Sequence, residues 1–177
     1  MKRSFVFDAT PLIHLAKAGL APLISQLPGE KLTVPAVVRE VVGEGRREYP
    51  DAAVIAALID QGVIEVRAPP PRAVKALVRI HSDIHSGEAE ALALAKETGG
   101  VSVVDDRAAR AAARLQGIRV EGTYGVVLRA LKGGSISAVG AEDALGRLVS
   151  SGWRCDAELY AALLRSLRDI GRRTRPP

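Results

Sequence analysis

The chain has 177 residues, with 25 basic and 20 acidic side chains and a formal charge of +5. It is long enough for one domain with a real core. Hydrophobic residues make up 47% of it, which excludes bulk disorder. No apolar run approaches the ~20 residues of a membrane span, and the start, Met1 to Asp8, meets an acid too early for a signal peptide. One cysteine, Cys155, excludes an internal disulfide and a multi-cysteine zinc site. These features set the expectation of a cytoplasmic protein with no membrane partner. The charge permits an anionic partner without proving one, and the arginines at 165, 168, 172, 173 and 175 read as a solvated tail. Aromatics at 3% supply little for base stacking.

In chain order, Phe5-Val6-Phe7 reads as a buried strand ended by Asp8. Thr10 is expected to cap a helix with Pro11 in its first turn and Leu12, Ile13, Leu15 and Ala16 on its apolar face. Leu32-Thr33-Val34 reads as a second strand. Pro35 opens a helix through Val37, Val38, Val41 and Val42 that ends near Gly43, and a charged loop follows to Pro50. Asp51 caps a helix through Val54, Ile55, Leu58 and Ile59, closed by Gly62. Val63 to Val66 is strand-like. Ala68 to Pro71 breaks the chain before a helix through Val74, Leu77 and Val78. Ser86 caps a helix from Gly87 to Glu97, with Gly99-Gly100 behind it. Val101 to Val104 is a buried strand that runs into Asp105-Asp106. A helix from Arg107 to Gln116 ends at Gly117, and Ile118 to Val120 is a further strand. Helices follow over Tyr124 to Lys132, Ala141 to Ser150 and Asp156 to Ile170.

Alternating strands and helices predict an α/β fold with a mostly parallel sheet. In such sheets, sites form beyond the carboxyl ends of the strands. Asp8 and the pair Asp105-Asp106 stand at two of those ends. Glu40 lies in a valine-rich helix and Glu88 in the first turn of another. Carboxylates gathered in one pocket repel, and a hard divalent cation relieves the repulsion. Such an ion can orient a water for attack on a phosphodiester. Each acid also has a plain role open to it. Asp8 can cap the first helix, Asp105 or Asp106 can cap the helix at Arg107, Glu40 can pair with Arg39 or Arg46, and Glu88 and Glu90 suit a helix N-terminus.

Four segments together resemble the motifs of PIN-domain nucleases. They are Phe5 to Ile13, Val34 to Val41, Gly87 to Ala95 and Val103 to Arg110. The later Gly117-Ile118 and Gly122 to Val126 are similar to a PIN-like subfamily of uncharacterised prokaryotic proteins. The resemblance spans nearly the whole chain; order and spacing carry it, not any single motif. It implies a three-layer α/β/α sandwich around a parallel sheet, with a core over 1–122 and a helical C-terminal extension over 123–177 packed on the same domain. It implies RNA cleavage dependent on Mg²⁺ or Mn²⁺, commonly as the toxin of a VapC-type toxin–antitoxin pair, and a homodimer. Carried over by position, Asp8, Glu40, Glu88 and Asp105 form the acidic quartet. Asp106 is a further metal-ligand candidate beside Asp105. Thr10 stands beside Asp8, its hydroxyl placed to hold an ion-bound water or a carboxylate.

Two choices arise. Glu88 and Glu90 are turned roughly 200° apart on a helix, so one alone faces a pocket. Glu88 is preferred because the first turn lies nearest the strand ends. Asp105 is preferred to Asp106 because it directly follows the strand.

Rival constellations are weaker. A dehalogenase-type phosphatase needs an Asp where Thr10 stands, receiver domains carry their acid pair early, and no Gly-rich phosphate loop is present. His81, Asp83 and His85 read as a polar loop before they read as zinc ligands. His14 reads as a partly buried histidine with a hydrogen bond, and Cys155 beside Trp153 as packing. Arg107, Arg110 and Arg114 can contact RNA phosphates or pair with the acids. The alternative function is a catalytically inactive PIN-like module that binds a protein partner or RNA.

Overall fold

The computed structural model describes residues 3–43, 48–81 and 83–173, the last without its side chain. Half of the expected 43–50 loop, residues 44–47 with Arg46 among them, and Arg175 lie outside the described residues. The strands are β1 Ser4–Phe7, β2 Glu30–Thr33, β3 Glu65–Val66, β4 Val101–Val103 and β5 Arg119–Glu121. They form one all-parallel sheet in the order β3-β2-β1-β4-β5. β1 lies at its centre, with Val6 opposite both Leu32 and Ser102. Every residue of β1 is buried, the continuous apolar signature of a strand covered on both faces.

The helices are α1 Ala9–Lys17, α2 Pro22–Ser25, α3 Pro35–Val42, α4 Pro50–Asp60, α5 Pro71–Ile80, α6 Ser86–Thr98, α7 Arg107–Leu115, α8 Thr123–Lys132, α9 Ala138–Ser150 and α10 Ala157–Arg173. Parallel strands are joined by right-handed crossovers. The steps from β1 to β2 and from β2 to β3 run one way along the sheet, and those from β3 to β4 and from β4 to β5 run the other. Crossovers of one hand therefore put α1–α4 on one face and α5–α7 on the opposite face. The packing agrees: α1 lies on α3 and α4, while α6 lies on α5 and α7. α8 packs on α1 and α2, and α9 on α8 and α1, with α10 against both α8 and α9. The result is an α/β/α sandwich.

The core sits on both sides of β1 and β4. Alanines 89, 91, 93 and 95 of α6 are all buried, and such short side chains let this helix lie close on the sheet. Leu92 and Leu94 are fully buried among them. Two hydroxyls tie elements together: Thr33 of β2 donates to the Phe7 carbonyl of β1 at 2.9 Å within the sheet, and Ser4 of β1 donates to Thr98 Oγ1 of α6 at 2.9 Å between layers.

Several element ends differ from the sequence reading. Thr10 does not cap α1; Asp8 takes the N-cap position and Thr10 stands exposed in the first turn. β2 starts and stops earlier than expected, because Val34 is extended backbone that leads into α3. The α4 cap is Tyr49, and Asp51 lies buried in the first turn. His85, not Ser86, caps α6. α2 has no counterpart in the sequence reading; it is a single turn begun by Pro22. α9 begins at Ala138, where the Ser137 hydroxyl accepts the Gly140 amide. The arginines placed in a solvated tail lie, through 173, on α10, and Arg168 is tied to Glu142 by two hydrogen bonds.

Candidate functional site

β1 and β4 are neighbours, and their connections leave toward opposite faces of the sheet. Their carboxyl ends therefore flank the switch point where an open α/β sheet leaves a crevice. Asp8 follows β1 and its amide donates to Val103 O of β4 at 3.0 Å. The crevice is a cleft of about 1450 Å³. Asp8, Thr10, Glu40, Glu88, Asp105 and Asp106 all line it, and so does His14. One site thus collects every acid of the expected quartet, although they lie up to almost a hundred positions apart in the chain.

Asp8 is only 4% exposed. Burial pushes its carboxyl up to about 7, the charges of Glu88 and Glu40 push the same way, and the amides of Ala9 and Thr10 partly offset them. Glu88 is raised for the same first reason, burial, with Asp106 and Glu40 adding repulsion and the His85 amide opposing it. Gly87, at the start of α6, borders two of these groups: a methyl group there would sit 3.7 Å from Glu40 Oε2 and 3.8 Å from Asp8 Oδ1, ordinary contact distances.

Glu88 and Glu90 divide as helical geometry requires. Glu88 faces the cleft and accepts the His85 amide at 2.8 Å. Glu90 points across to α3, where it accepts the Ala36 amide at 3.1 Å and stands 3.9 Å from Arg39. Val34 at the α3 N-cap has no side-chain acceptor, so Glu90 serves that helix end in its place.

Asp105 and Asp106 also divide. Asp106 Oδ1 accepts the Ala109 amide at 2.8 Å and caps α7. Asp105 Oδ1 accepts the Thr123 amide at 2.8 Å, and its Oδ2 accepts the Thr123 hydroxyl at 2.6 Å and the Trp153 indole N–H at 3.1 Å. Neither donor was assigned from the sequence, where Trp153 was given no role of its own. A donor-only indole in a chain with one tryptophan was the available signal.

His14 is half-buried and its Nδ1 has no hydrogen-bond partner among the described residues, contrary to expectation. Burial lowers its basicity, and the charge of Asp105 works against that. Arg107 and Arg110 line the cleft, and Arg110 spends a donor on Val104 O at 3.1 Å. Lys132 and Arg154 extend the same wall. The described residues of 81–85 form a polar loop, with Asp83 and His85 exposed; Ile84 is buried and anchors it, and His85 takes the α6 N-cap position.

Carboxylate oxygens are the donors a hard divalent cation prefers. Burial first, and the charges of Glu88 and Glu40 after it, raise Asp8, and such an ion would offset both. The donor chemistry therefore fits a divalent cation around Asp8, Glu40 and Glu88. Among the described residues, no three His, Cys, Asp or Glu side chains already converge to ligand distance. Side-chain rotation would have to complete the set.

No helix among the described residues is long and apolar enough to cross a membrane. No curated protein matches the chain. A family model described as a PIN domain matches residues 4–169. That match covers nearly the whole sandwich and every acid of the cleft, and the chain belongs to the PIN-domain family, a nuclease-type fold.

Proposed function

We propose that this protein is a ribonuclease dependent on Mg²⁺ or Mn²⁺. The observation that carries the reading is Asp8: a carboxyl almost fully buried at a strand end, raised to about 7 by burial and by two further acids in the same cleft. That arrangement costs the fold net stability, because burial and repulsion of the carboxylate outweigh the amides of Ala9 and Thr10. Perturbed groups of this kind cluster at functional sites.

Asp8, Glu40 and Glu88 would hold the cation, and Asp105 would complete the set on the β4 side. A bound divalent ion supplies Lewis-acid charge for a phosphodiester and lowers the pKa of water. Asp8 presents its carboxylate from a rigid strand end, so its position is set by the sheet. Thr10, exposed in the first turn of α1, offers a hydroxyl to solvent or phosphate beside it. Arg107, Lys132 and Arg154 are exposed on the same cleft and would meet the phosphates of an RNA strand. A cognate antitoxin and a homodimer follow from the family resemblance and belong to the same proposal, as does a cytoplasmic location.

A second reading has its own observation. Both oxygens of Asp105 are taken by donors of the protein itself. That favours a non-catalytic module, in which the acid serves the fold and the cleft binds a protein or RNA. Calorimetric titration with Mn²⁺ in metal-free buffer separates the two. The nuclease reading expects binding by the wild type that Asp8→Asn and Asp105→Asn both lose. A folded wild type that takes up no Mn²⁺, with or without RNA present, contradicts it.

A further inference from the structure

Asp105 is held from two sides by the part of the chain that follows the sheet. Thr123, fully buried as the first residue of α8, gives it an amide and a hydroxyl. The third donor comes from the turn between α9 and α10, 48 residues further along the sequence than Asp105. Gly152 makes that turn possible. Its φ is +93°, in the left-handed region that favours glycine. Its amide closes α9 on Val149 O at 3.0 Å, and the next amide, of Trp153, reaches Leu148 O at 3.1 Å. The chain is thereby reversed so that the Trp153 ring lies on the cleft wall with its N–H on Asp105 Oδ2. The indole N–H can only donate, so it can serve an acidic oxygen and little else there.

We propose that Trp153 is a positioning residue for Asp105, and that the α9–α10 turn is part of the active site rather than only a cover for the core. The inference rests on the reading of the cleft as a metal-dependent site. Thr123 holds both carboxylate oxygens, Oδ1 by its amide and Oδ2 by its hydroxyl, and the indole adds a second donor to Oδ2 from the α9–α10 turn. Groups that orient a metal-binding carboxylate in this way commonly cost 10–100-fold in metal affinity when removed, and roughly tenfold is expected for one of three donors.

The single tryptophan gives a single indole N–H signal in a ¹H–¹⁵N spectrum. In metal-free protein, Asp105→Asn is expected to shift that signal, because its acceptor loses charge. Mg²⁺ added to the wild type is expected to shift it too, and to leave it unmoved in Asp8→Asn. Trp153→Phe keeps the ring and loses the donor. Its calorimetric Kd for Mg²⁺ is expected to rise roughly tenfold while its far-ultraviolet circular dichroism stays that of the wild type. An indole signal indifferent to Asp105→Asn overturns the proposal, because the bond is then absent in solution. A shifted signal with an unchanged Mg²⁺ constant in Trp153→Phe also overturns it, and leaves Trp153 a structural tether. A signal that answers to Asp105→Asn in a wild type blind to Mg²⁺ overturns the metal reading of the cleft, and the positioning role falls with it.

Discussion

Asp8→Asn is expected to unfold at a higher temperature than the wild type at pH 8 in metal-free buffer. The carboxyl ionises near its usual value, 3.8, in the unfolded chain and near 7 in the folded one. Between those values the folded state binds more protons than the unfolded state. Stability therefore falls as pH rises through that window and levels off above it. The sign is opposite to that of a salt-bridged aspartate, which stabilises at neutral pH. The gap between the two values sets an upper bound of about 4 kcal/mol, and relaxation of Glu40 and Glu88 brings the expected gain to about 2–4 kcal/mol. For a chain of this length that is a rise of roughly 5–15 °C in Tm. At pH 4 the two proteins should melt together, because Asp8 is then protonated in the folded state. Saturating Mg²⁺ should raise the wild type at pH 8, by about 2.7 kcal/mol at a hundred times Kd, and leave the variant where it is. Thermal melts at the two pH values, with and without Mg²⁺, check all of this. A variant less stable than the wild type at pH 8 would show that Asp8 has a stabilising partner and is not held under net repulsion.

Glu88 and Glu90 should separate activity from stability. Glu88→Gln keeps an acceptor for the His85 amide but removes a charge from the cleft. RNA cleavage should fall by about a hundredfold or more, some 2.7 kcal/mol of barrier, and the fold should be unharmed or firmer. Glu90→Ala removes the side chain that serves the Ala36 amide at the start of α3. It should cost about 1 kcal/mol of stability and leave the cleavage rate within about twofold. Rates on a single-stranded RNA and thermal melts of both variants check the pair. The reverse pattern, with Glu90 needed for cleavage and Glu88 for stability, would place the third acid one face around the helix.

What the sequence made legible was local or periodic. Phe5-Val6-Phe7 followed by Asp8, and Val101 to Val103 ahead of Asp105, are apolar runs that stop at an acid, and they were readable as strand ends. Helical spacing separated Glu88 from Glu90, and the nearness of the first turn to the strand ends selected Glu88. What could not be read were the partners that the fold brings together across long separations. Nothing in the order of residues places Trp153 on Asp105, because the contact depends on the Gly152 turn and on how α8 and α9 pack. Helix caps also misled. Thr10 and Ser86 are good capping types, but each sits one or two residues inside its helix, because the extended residue before it is set by the strand or turn that feeds it. Likewise the repulsion at Asp8 could be anticipated from four acids, whereas its near-complete burial could not.

The acids of this cleft are proposed to act together on RNA. The most direct test is cleavage of a labelled single-stranded RNA by the purified protein, with Mn²⁺ or Mg²⁺, with chelator, and with Asp8→Asn under the same conditions. Cleavage that needs the ion, stops on chelation and is absent in a folded Asp8→Asn is the predicted result. Cutting by Asp8→Asn at the wild-type rate would contradict it.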